Sequence, residues 1–372
     1  MNAISQKAEQ KLDLLNQKSL DRCIPLNAHF DLTYNCNLRC VHCYVTKDRK
    51  RRELDYAEVT ELLDQLAQAG CLWLTLSGGE ILTRPDFFDI AFYAKKKCFA
   101  LRLFTNGTLI EIDTASKMAE LSPLTIEISL YGASESTHET ITQIKGSFKK
   151  TLKAIELLKK KGLRVILKTM LMKPNIDELE NIFKLGRDLA VEHQFDVEIC
   201  PKNDGSLEPT KYQLQDDDLL EYFLNDIPQR MEYEEEEPRD SALKKPVCFP
   251  GTNSCAISSY GDVYPCAIML LNMGNIRNKK FKDIWYNETA DLSILRLKRQ
   301  YQHFPQCLNC TLISYCRRCH GKAMLFQGDF LKCDPLAYRL ARIKKIVNAT
   351  RKREVIWKEN LTRQENSMKS QY

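Results

Sequence analysis

Short apolar runs alternate with amphipathic segments between residues 27 and 200. Six runs have the β-branched and aromatic composition of strands: AHFDLT (28–33), LWLTL (72–76), ALRLFT (100–105), LTIEIS (124–129), RVILKTM (164–170) and FDVEIC (195–200). Apolar residues recur at helical spacing in the segments between them: 56–69, 86–97, 148–161 and 176–189. This alternation predicts a parallel α/β sheet, either open or curled into a partial (β/α)6 TIM-like barrel. Reactive residues are then expected at the carboxyl ends of the strands.

The remaining segments lack this alternation. Residues 1–25 resemble a short lead-in, 201–247 a linker with some helix and an acidic run, and 336–372 a basic helix or tail. Residues 248–335 are rich in Cys and loops, so metal ligands would have to supply the order that a hydrophobic core does not. The sequence therefore predicts a partial barrel over residues 26–200 and a separate Cys-rich domain over 248–335.

Composition excludes several classes of protein. Of the 372 residues, 44% are hydrophobic and 28% are charged, which is ordinary for a globular protein. No apolar run approaches the ~20 residues that cross a bilayer, and the start MNAISQKAEQ lacks the apolar stretch of a secretory signal. We therefore expect a cytoplasmic protein with no membrane partner.

The net charge of +6 is concentrated at the C-terminus, where residues 337–372 contain ten Lys or Arg and three Asp or Glu. This segment is either a solvated terminus or a contact for an acidic protein or peptide. Nucleic acid is not expected as a partner, because basic and aromatic residues do not alternate elsewhere on the chain.

The cysteine count changes the picture. Fifteen Cys, an odd number, in a chain without an export signal indicate metal binding rather than a disulfide framework. Four of them stand alone in the sequence and are interpreted as inert thiols: Cys23, Cys71, Cys98 and Cys200. The other eleven fall into two groups.

The first group is Cys36, Cys40 and Cys43, directly after the first predicted strand. A zinc ion would need a fourth ligand, and His42 is poorly placed to close the same tetrahedron. An iron–sulfur cubane held by three Cys would instead keep one iron free for a substrate or cofactor. Glycine-containing or polar residues follow at the ends of the next three strands: Gly78-Gly79-Glu80, Thr105-Asn106-Gly107 and Ser129.

Together, the CxxxCxxC spacing and these strand ends resemble the radical S-adenosylmethionine (SAM) superfamily over residues 27–200. The resemblance implies that Cys36, Cys40 and Cys43 hold a [4Fe–4S] cluster whose open iron binds SAM. One electron would then cleave SAM to methionine and a 5′-deoxyadenosyl radical, which abstracts a hydrogen from the substrate. The family's SAM contacts correspond to His42, Gly78, Gly79, Glu80, Asn106 and Ser129, with Lys168 in place of an Arg that some relatives have. Glu80 would accept the SAM ammonium.

The second group contains eight Cys. From the residues alone, two zinc ribbons remain an alternative, because CxxC pairs are equally good zinc ligands. Combined with the first half, the Gly261–Cys266 unit and the CxxC-x5-C run resemble a SPASM domain with two auxiliary [4Fe–4S] clusters. The resemblance implies one cluster on Cys248, Cys255, Cys266 and Cys319, and the other on Cys307, Cys310, Cys316 and Cys333. The chain departs from the family in having two residues, not three, between Cys316 and Cys319.

The resemblance also implies a function. SPASM enzymes mostly modify peptides, so the predicted substrate is a ribosomally made precursor peptide. The alternative is tailoring of a tetrapyrrole side chain in haem biosynthesis, and a non-catalytic zinc module is the alternative from another class. Because ~25 residues are too few for a leader-binding domain, either a separate leader-binding protein presents the peptide or the substrate is not a peptide. A flavodoxin- or ferredoxin-type protein would donate electrons. No catalytic acid or base is identified, although Tyr131, Tyr260 and Asp262 follow the relevant strands.

Overall fold

One nine-stranded sheet organises the protein. The computed structural model describes residues 3–224, 237–287 and 289–351. The strands run in the order β6-β5-β4-β3-β2-β1-β7-β8-β9. Their bounds are β1 Asn27–Thr33, β2 Trp73–Gly78, β3 Ala100–Thr105, β4 Thr125–Ser129, β5 Val165–Met170, β6 Glu192–Asp196, β7 Ser254–Ile257, β8 Asp262–Tyr264 and β9 Gly274–Asn275.

The first six strands are parallel and neighbour one another in chain order. This confirms the predicted partial barrel. Five strands lie within a residue or two of their predicted bounds, whereas β6 is Glu192–Asp196 instead of residues 195–200. The apolar run there continues into the loop, because Ile199 is buried by Met172 and Ile141 without belonging to a strand.

Helices connect the strands and cover the sheet. A capping box formed by Asp55 and Glu58 starts α2. Two helices that the sequence analysis did not single out, α4 and α5, follow β3 and β4. The bounds are α1 Ala3–Asp21, α2 Tyr56–Gln68, α3 Phe87–Lys96, α4 Ile112–Leu121, α5 Glu135–Thr142, α6 Ser147–Lys160, α7 Leu179–Asp188, α8 Asp216–Leu224, α9 Arg239–Lys244, α10 Phe281–Trp285, α11 Ala290–Leu297, α12 Pro305–Leu308 and α13 His320–Gln327.

The Cys-rich segment begins inside the sheet of the barrel. Strand β7 pairs in parallel with β1, with Ala28 opposite Cys255 and Phe30 opposite Ile257. The main hydrophobic core includes Val263 and Trp285 together with the buried side of the barrel strands. Residues 254–285 are therefore packed as an extension of the barrel, not as a separate folded body.

The rest of the Cys-rich segment packs through small clusters. One contains Tyr301, Phe304 and Cys307, and another contains Leu312 and Tyr315. Residues 335–351 form a helix that packs on α8, which lies in the predicted linker. The remainder of the predicted basic tail, and most of the acidic run, lie outside the described residues. None of the helices in the described ranges has the length and hydropathy that a bilayer crossing requires.

Candidate active site

The loop after β1 carries Cys36, Cys40 and Cys43. Two backbone hydrogen bonds fix it to the end of α5, from Arg39 N to Thr142 O and from Val41 N to Ile141 O, each 3.0 Å long. The three thiols are close enough for their charges to interact: burial raises the pKa of Cys40, and Cys43 and Cys36 raise it further. Ionising these thiols is therefore costly. Because a metal binds the thiolate form, metal binding must offset the cost of ionisation.

Donors point at one sulfur of this group. Cys36 Sγ accepts from Leu38 N at 3.4 Å and from Asn106 Nδ2 at 3.9 Å. Hydrogen bonds to sulfur stabilise the thiolate and adjust the potential of a bound cluster. No three His, Cys, Asp or Glu side chains within the described ranges converge tightly enough for a single metal ion. Three thiols on one loop are the donor set of a [4Fe–4S] cluster with one open iron, whereas a structural zinc ion would need a fourth ligand.

His42 lies between the Cys residues but is not turned into a fourth ligand. Its ring contacts the Tyr131 ring edge-on, with centroids 4.6 Å apart. Burial lowers the pKa of His42 to about 4, and its Nδ1 has no hydrogen-bond partner. The pair His42 and Tyr131 closes one wall of a cavity above the Cys loop.

Gly78 and Gly79 allow two loops to touch. A Cβ on Gly78 would lie 2.1 Å from Thr33 O, and one on Gly79 would lie 2.1 Å from Asn35 O. Gly79 N donates to Thr33 O at 2.7 Å, and Glu80 N donates to Asn35 O at 2.8 Å. The glycines therefore bring the end of β2 against the start of the Cys loop, which no larger residue would permit.

The structure gives Glu80 a different environment from the one predicted. Its side chain is fully buried and accepts from Thr105 Oγ1 at 2.7 Å, Asn106 N at 2.7 Å and Leu82 N at 3.2 Å. Burial raises its pKa, and these donors partly reverse the rise. Three donors occupy the carboxylate, and Glu80 is not among the residues that line the cavity. A direct contact with the SAM ammonium would have to use the one acceptor site, on Oε2, that these bonds leave. Its evident task is to hold the end of β3.

Asn106 connects that buried carboxylate to the Cys loop. Its Nδ2 donates to Asn37 Oδ1 at 2.9 Å and approaches Cys36 Sγ, while its Oδ1 accepts from Thr108 N at 2.9 Å. Glu80, Asn106 and Cys36 thus form one continuous hydrogen-bonded path. This path explains the sequence Thr105-Asn106-Gly107, because Asn106 is the residue that contacts the Cys36 thiol.

A cavity of about 470 Å³ lies at the carboxyl ends of the strands. His42, Ser129, Tyr131 and Lys168 line it from the barrel, and Ala267 and Ile268 line it from the Cys-rich segment. Of the predicted SAM contacts, His42, Ser129 and Lys168 face this cavity, whereas Gly78, Gly79, Glu80 and Asn106 lie behind its wall. The cavity is adjacent to the Cys loop and has the size of a small-molecule site.

Lys168 is already paired. Its Nζ donates to Gln194 Oε1 at 2.7 Å and lies 3.3 Å from the Glu127 carboxylate. A SAM carboxylate bound here would share this ammonium with Glu127.

Tyr260 and Asp262 are committed to structure. The Asp262 carboxylate accepts hydrogen bonds from Nη1 and Nη2 of Arg51, at 2.6 and 2.8 Å. The Tyr260 hydroxyl donates to Asp48 O at 3.0 Å. Both residues therefore fasten β8 to the segment that follows the Cys loop, and neither is among the residues lining the cavity.

Four thiols of the second group converge as the resemblance implies: Cys307, Cys310, Cys316 and Cys333. Burial raises the pKa of Cys316 to about 12, and Cys307, Cys333 and Cys310 contribute to the rise. The buried guanidinium of Arg318 lies among them, 3.9 Å from the Phe304 ring and 2.8 Å from Phe330 O. Its charge interacts with Cys307, Cys333 and Cys316. A buried cation beside four thiols fits an anionic four-thiolate cluster.

The other thiol group has a different membership from the predicted one. Cys248, Cys266 and Cys319 lie within electrostatic reach of one another. Cys255 does not join them: it lies in β7, is 2% exposed and interacts with Cys71. Cys200, which stands alone in the sequence, lies within electrostatic range of Cys319 and lines the cavity together with Ala267, the neighbour of Cys266. No spacing pattern could signal this contact, because Cys200 follows β6 of the barrel.

A groove of about 740 Å³ continues from the cavity along β6. β6 is the outermost described strand at its end of the sheet. The groove is bounded by α8 residues Tyr222 and Phe223 and by Leu340 and Lys344 of the C-terminal helix. It shares four lining residues with the cavity: Gln194, Phe195, Asp196 and Glu198. Cavity and groove are thus lined by the same stretch of chain, residues 194–198.

Sequence and structure comparisons agree with this geometry. Residues 31–186 match the sequence profile of the Radical SAM superfamily, and residues 248–320 match that of the SPASM iron–sulfur cluster-binding domain. An AdoMet-dependent heme synthase of Methanosarcina barkeri is 29% identical over 82% of this chain and 94% of its own. The subtilosin biosynthesis protein AlbA of Bacillus subtilis is 27% identical over 81% of this chain and 68% of its own.

Among solved structures, Streptococcus suis SuiB bound to S-adenosylmethionine superimposes with a TM-score of 0.63. The sequences are 17% identical, and the match covers 89% of this chain and 82% of SuiB. SuiB has also been solved with its precursor peptide SuiA, and that structure gives a TM-score of 0.62 at 16% identity, covering 87% of this chain and 78% of SuiB. At this identity, the match supports the shared fold.

Proposed function

The chain belongs to the radical SAM superfamily and carries a SPASM domain, and we propose that its substrate is a ribosomally made peptide or protein. When bound at Cys36, Cys40 and Cys43, the cluster supplies the electron that cleaves SAM to a 5′-deoxyadenosyl radical. The protein's own residues bind and orient SAM and substrate, and they exclude water.

The observation that carries the proposal is that the cavity and the groove share the lining residues 194–198 of β6 and the loop after it. An extended peptide can lie along the free edge of β6 and place one residue in the cavity, because an outer strand offers unpaired backbone groups. The groove adds about 740 Å³ to a cavity of about 470 Å³. A long, open surface of this kind suits a chain better than a compact ring.

The charges near the cavity support the same substrate class. Its lining includes Asp196 and Glu198, and Lys168 is paired with Glu127. A tetrapyrrole carries several carboxylates, which need cations in a buried site. A peptide backbone has no such requirement and can donate its N–H groups to these acids.

Within the cavity, we assign SAM to the wall formed by His42 and Ser129, next to the Cys loop. The rings of His42 and Tyr131 close one wall of the cavity beside the Cys loop, which would limit quenching of a radical in the cavity by water. Asn106 contributes by contacting Cys36. Lys168 would pair with the SAM carboxylate while keeping its contact with Glu127.

Haem-precursor tailoring is the second candidate. It is favoured by the 29% identity to a heme synthase over almost the whole length of that relative. Under this alternative, the cavity would have to hold a tetrapyrrole beside SAM, and Lys168 would have to bind a propionate.

Co-expression tests the two candidates directly. The gene would be expressed with each short reading frame that neighbours it, and the encoded peptides analysed by mass spectrometry. We expect a mass change that requires intact Cys36, Cys40 and Cys43. The purified enzyme would also receive an iron porphyrin carrying propionates, under a strong reductant. Loss of propionate carboxyl groups from the iron porphyrin, together with unmodified peptides, would contradict the proposal.

The remaining partners follow from the same proposal. A flavodoxin- or ferredoxin-type donor would reduce the cluster in the cytoplasm, and a separate protein would bind the leader of the peptide. Omission of the leader-binding protein is expected to raise the KM for the peptide. It should not alter the SAM cleavage that occurs when no peptide is present.

A further inference from the structure

Cys200 lies where the barrel meets the Cys-rich segment. It follows β6, after the buried Ile199, and its thiol interacts electrostatically with Cys319. Cys319 in turn interacts with Cys266, and Cys248 interacts with both. Cys200 also shares the cavity lining with Ala267, the residue next to Cys266. Cys200, Cys248 and Cys266 therefore all lie within electrostatic range of Cys319.

A buried ionic network fixes this meeting point. Lys322 on α13 is 4% exposed; its Nζ lies 2.5 Å from Glu198 Oε1 and 3.6 Å from Asp334 Oδ2. Asp334 Oδ2 also accepts from Cys319 N at 3.1 Å. Glu198 is two residues before Cys200, so this network holds the Cys200 loop and the Cys319 turn together. The ammonium of Lys322 adds a positive charge beside both thiols.

Cys255 cannot take the same place. Its backbone belongs to β7, in register with Ala28 of β1. Its thiol is buried in the main core beside Cys71. To reach Cys248 and Cys266, β7 would have to leave the sheet and expose part of that core.

We propose that Cys200, together with Cys248, Cys266 and Cys319, holds the first auxiliary cluster, so that the barrel supplies one of its four thiolates. This rests on the SPASM clusters of the proposed enzyme but not on the identity of its substrate. Lys322 offsets part of the negative charge of a four-thiolate cluster.

Two consequences follow. The cluster ties the barrel to the Cys-rich segment across the cavity, because its ligands come from both. It also has no iron left open to bind substrate, so its chemistry is confined to electron transfer and to holding the cavity wall.

Iron analysis separates Cys200 from Cys255. Both would be replaced by Ala singly in a C36A/C40A/C43A background, which leaves about eight irons per chain from two cubanes. We expect C200A to lose up to half of this iron or to give the EPR signal of a three-iron cluster. The same result is expected of C319A. C255A is expected to keep the iron and the spectrum of the background. Unchanged iron and EPR in C200A, or equal iron loss in C255A, would overturn the proposal.

Thiol labelling decides the matter if C200A does not fold. The unmodified, iron-loaded protein would be treated with iodoacetamide before and after iron removal by a chelator. Cys200 should react only after removal, whereas the exposed Cys98 should react in both states. Labelling of Cys200 that does not depend on iron, at either a high or a low level, contradicts the ligand role.

Iron content, EPR and thiol labelling test the ligand role of Cys200 without reference to the substrate. Unmodified peptides from the wild-type enzyme with its full cluster content would instead count against the peptide substrate. The two proposals therefore fail through different measurements.

Discussion

The barrel and the second half of the Cys-rich segment are held together by different forces. Barrel strands and helices bury a continuous apolar core, in which Phe30, Leu62 and Leu103 have no exposed surface. Residues 301–334 have only small clusters, and several of their apolar contacts are made by Cys side chains themselves. Hydrophobic burial can order the first region without a metal, whereas the second depends on metal–thiolate bonds for much of its folding free energy.

The boundary between these regions does not coincide with the first Cys of the group. Residues 254–285 pack into the barrel core through β7, Phe281 and Trp285. The predicted domain boundary at residue 248 therefore separates segments that the core joins. Folding is expected to depend on metal only for the residues that follow this extension.

The largest expected effect separates chemistry from folding. C36A/C40A/C43A should abolish 5′-deoxyadenosine formation and remove about a third of the iron, four of about twelve. The barrel should keep its stability, because these thiols lie on a loop outside the main core. Product analysis, iron content and thermal unfolding would be measured, with Cys98→Ala as the control. Normal SAM cleavage by this variant would show that the three Cys do not hold the cluster that binds SAM. Loss of the barrel's melting transition would show that the barrel, too, depends on metal for its folding.

The second prediction tests the extended barrel. Trp285 is fully buried, and its Nε1 donates to Cys23 O at 2.6 Å. Trp285→Ala should lower the free energy of unfolding by about 3–5 kcal/mol. Urea unfolding of the metal-free protein measures this effect, and the 40% exposed Tyr286 supplies the control Tyr286→Ala. A change below about 1 kcal/mol would mean that residues 254–285 are not part of the barrel's core.

The third prediction concerns Glu80. Glu80→Gln keeps the size of the side chain but turns an amide N–H2 toward a backbone or hydroxyl donor. Because one buried donor is left unsatisfied, unfolding should become easier by about 1–3 kcal/mol. SAM affinity should fall only modestly, through displacement of Asn106. Thermal unfolding and SAM titration would be compared with the exposed Glu111→Gln. Complete loss of SAM binding in a fully stable variant would restore the direct role predicted from the sequence.

The smallest effect lies at the joint between α2 of the barrel and its extension, residues 254–285. Glu58 on α2 accepts from Arg277 at 2.6 Å and from Arg52 at 2.8 Å. Hydrogen bonding to Arg277 is the main reason why its pKa is lowered from 4.5 to about 2. A lowered pKa contributes stability that is complete above about pH 4.5 and is lost as the pH falls toward 2. With allowance for solvent screening, Glu58→Gln should cost about 1 kcal/mol at pH 7.

Unfolding of the metal-free protein at pH 7 and pH 3 would measure this difference. The cost of Glu58→Gln should shrink toward pH 3, whereas Glu61→Gln on the same helix, where Glu61 accepts only a 3.3 Å bond from Gln65, should have little effect at either pH. A cost independent of pH would show that the ion pair does not couple the regions.

Much of the fold is readable from the sequence, because local periodicity reports which face of a segment is buried. Strand β3 has its predicted bounds, and α2 ends within one residue of its prediction. β6 is displaced, since the apolar run FDVEIC combines the end of a strand with a loop that packs on Met172. The helices α4 and α5 fall in segments to which no helical pattern was assigned.

The sequence alone determined that three closely spaced thiols follow the first strand and that polar residues follow the next strands, because these are properties of contiguous residues. Only the tertiary structure decided that the Glu80 carboxylate is buried among donors from Thr105, Asn106 and Leu82, that β7 places Cys255 in the core, and that Cys200 lies within electrostatic range of Cys319. The physical reason is that these facts depend on contacts between distant segments. Backbone pairing and burial set such contacts, and no spacing along the chain records them.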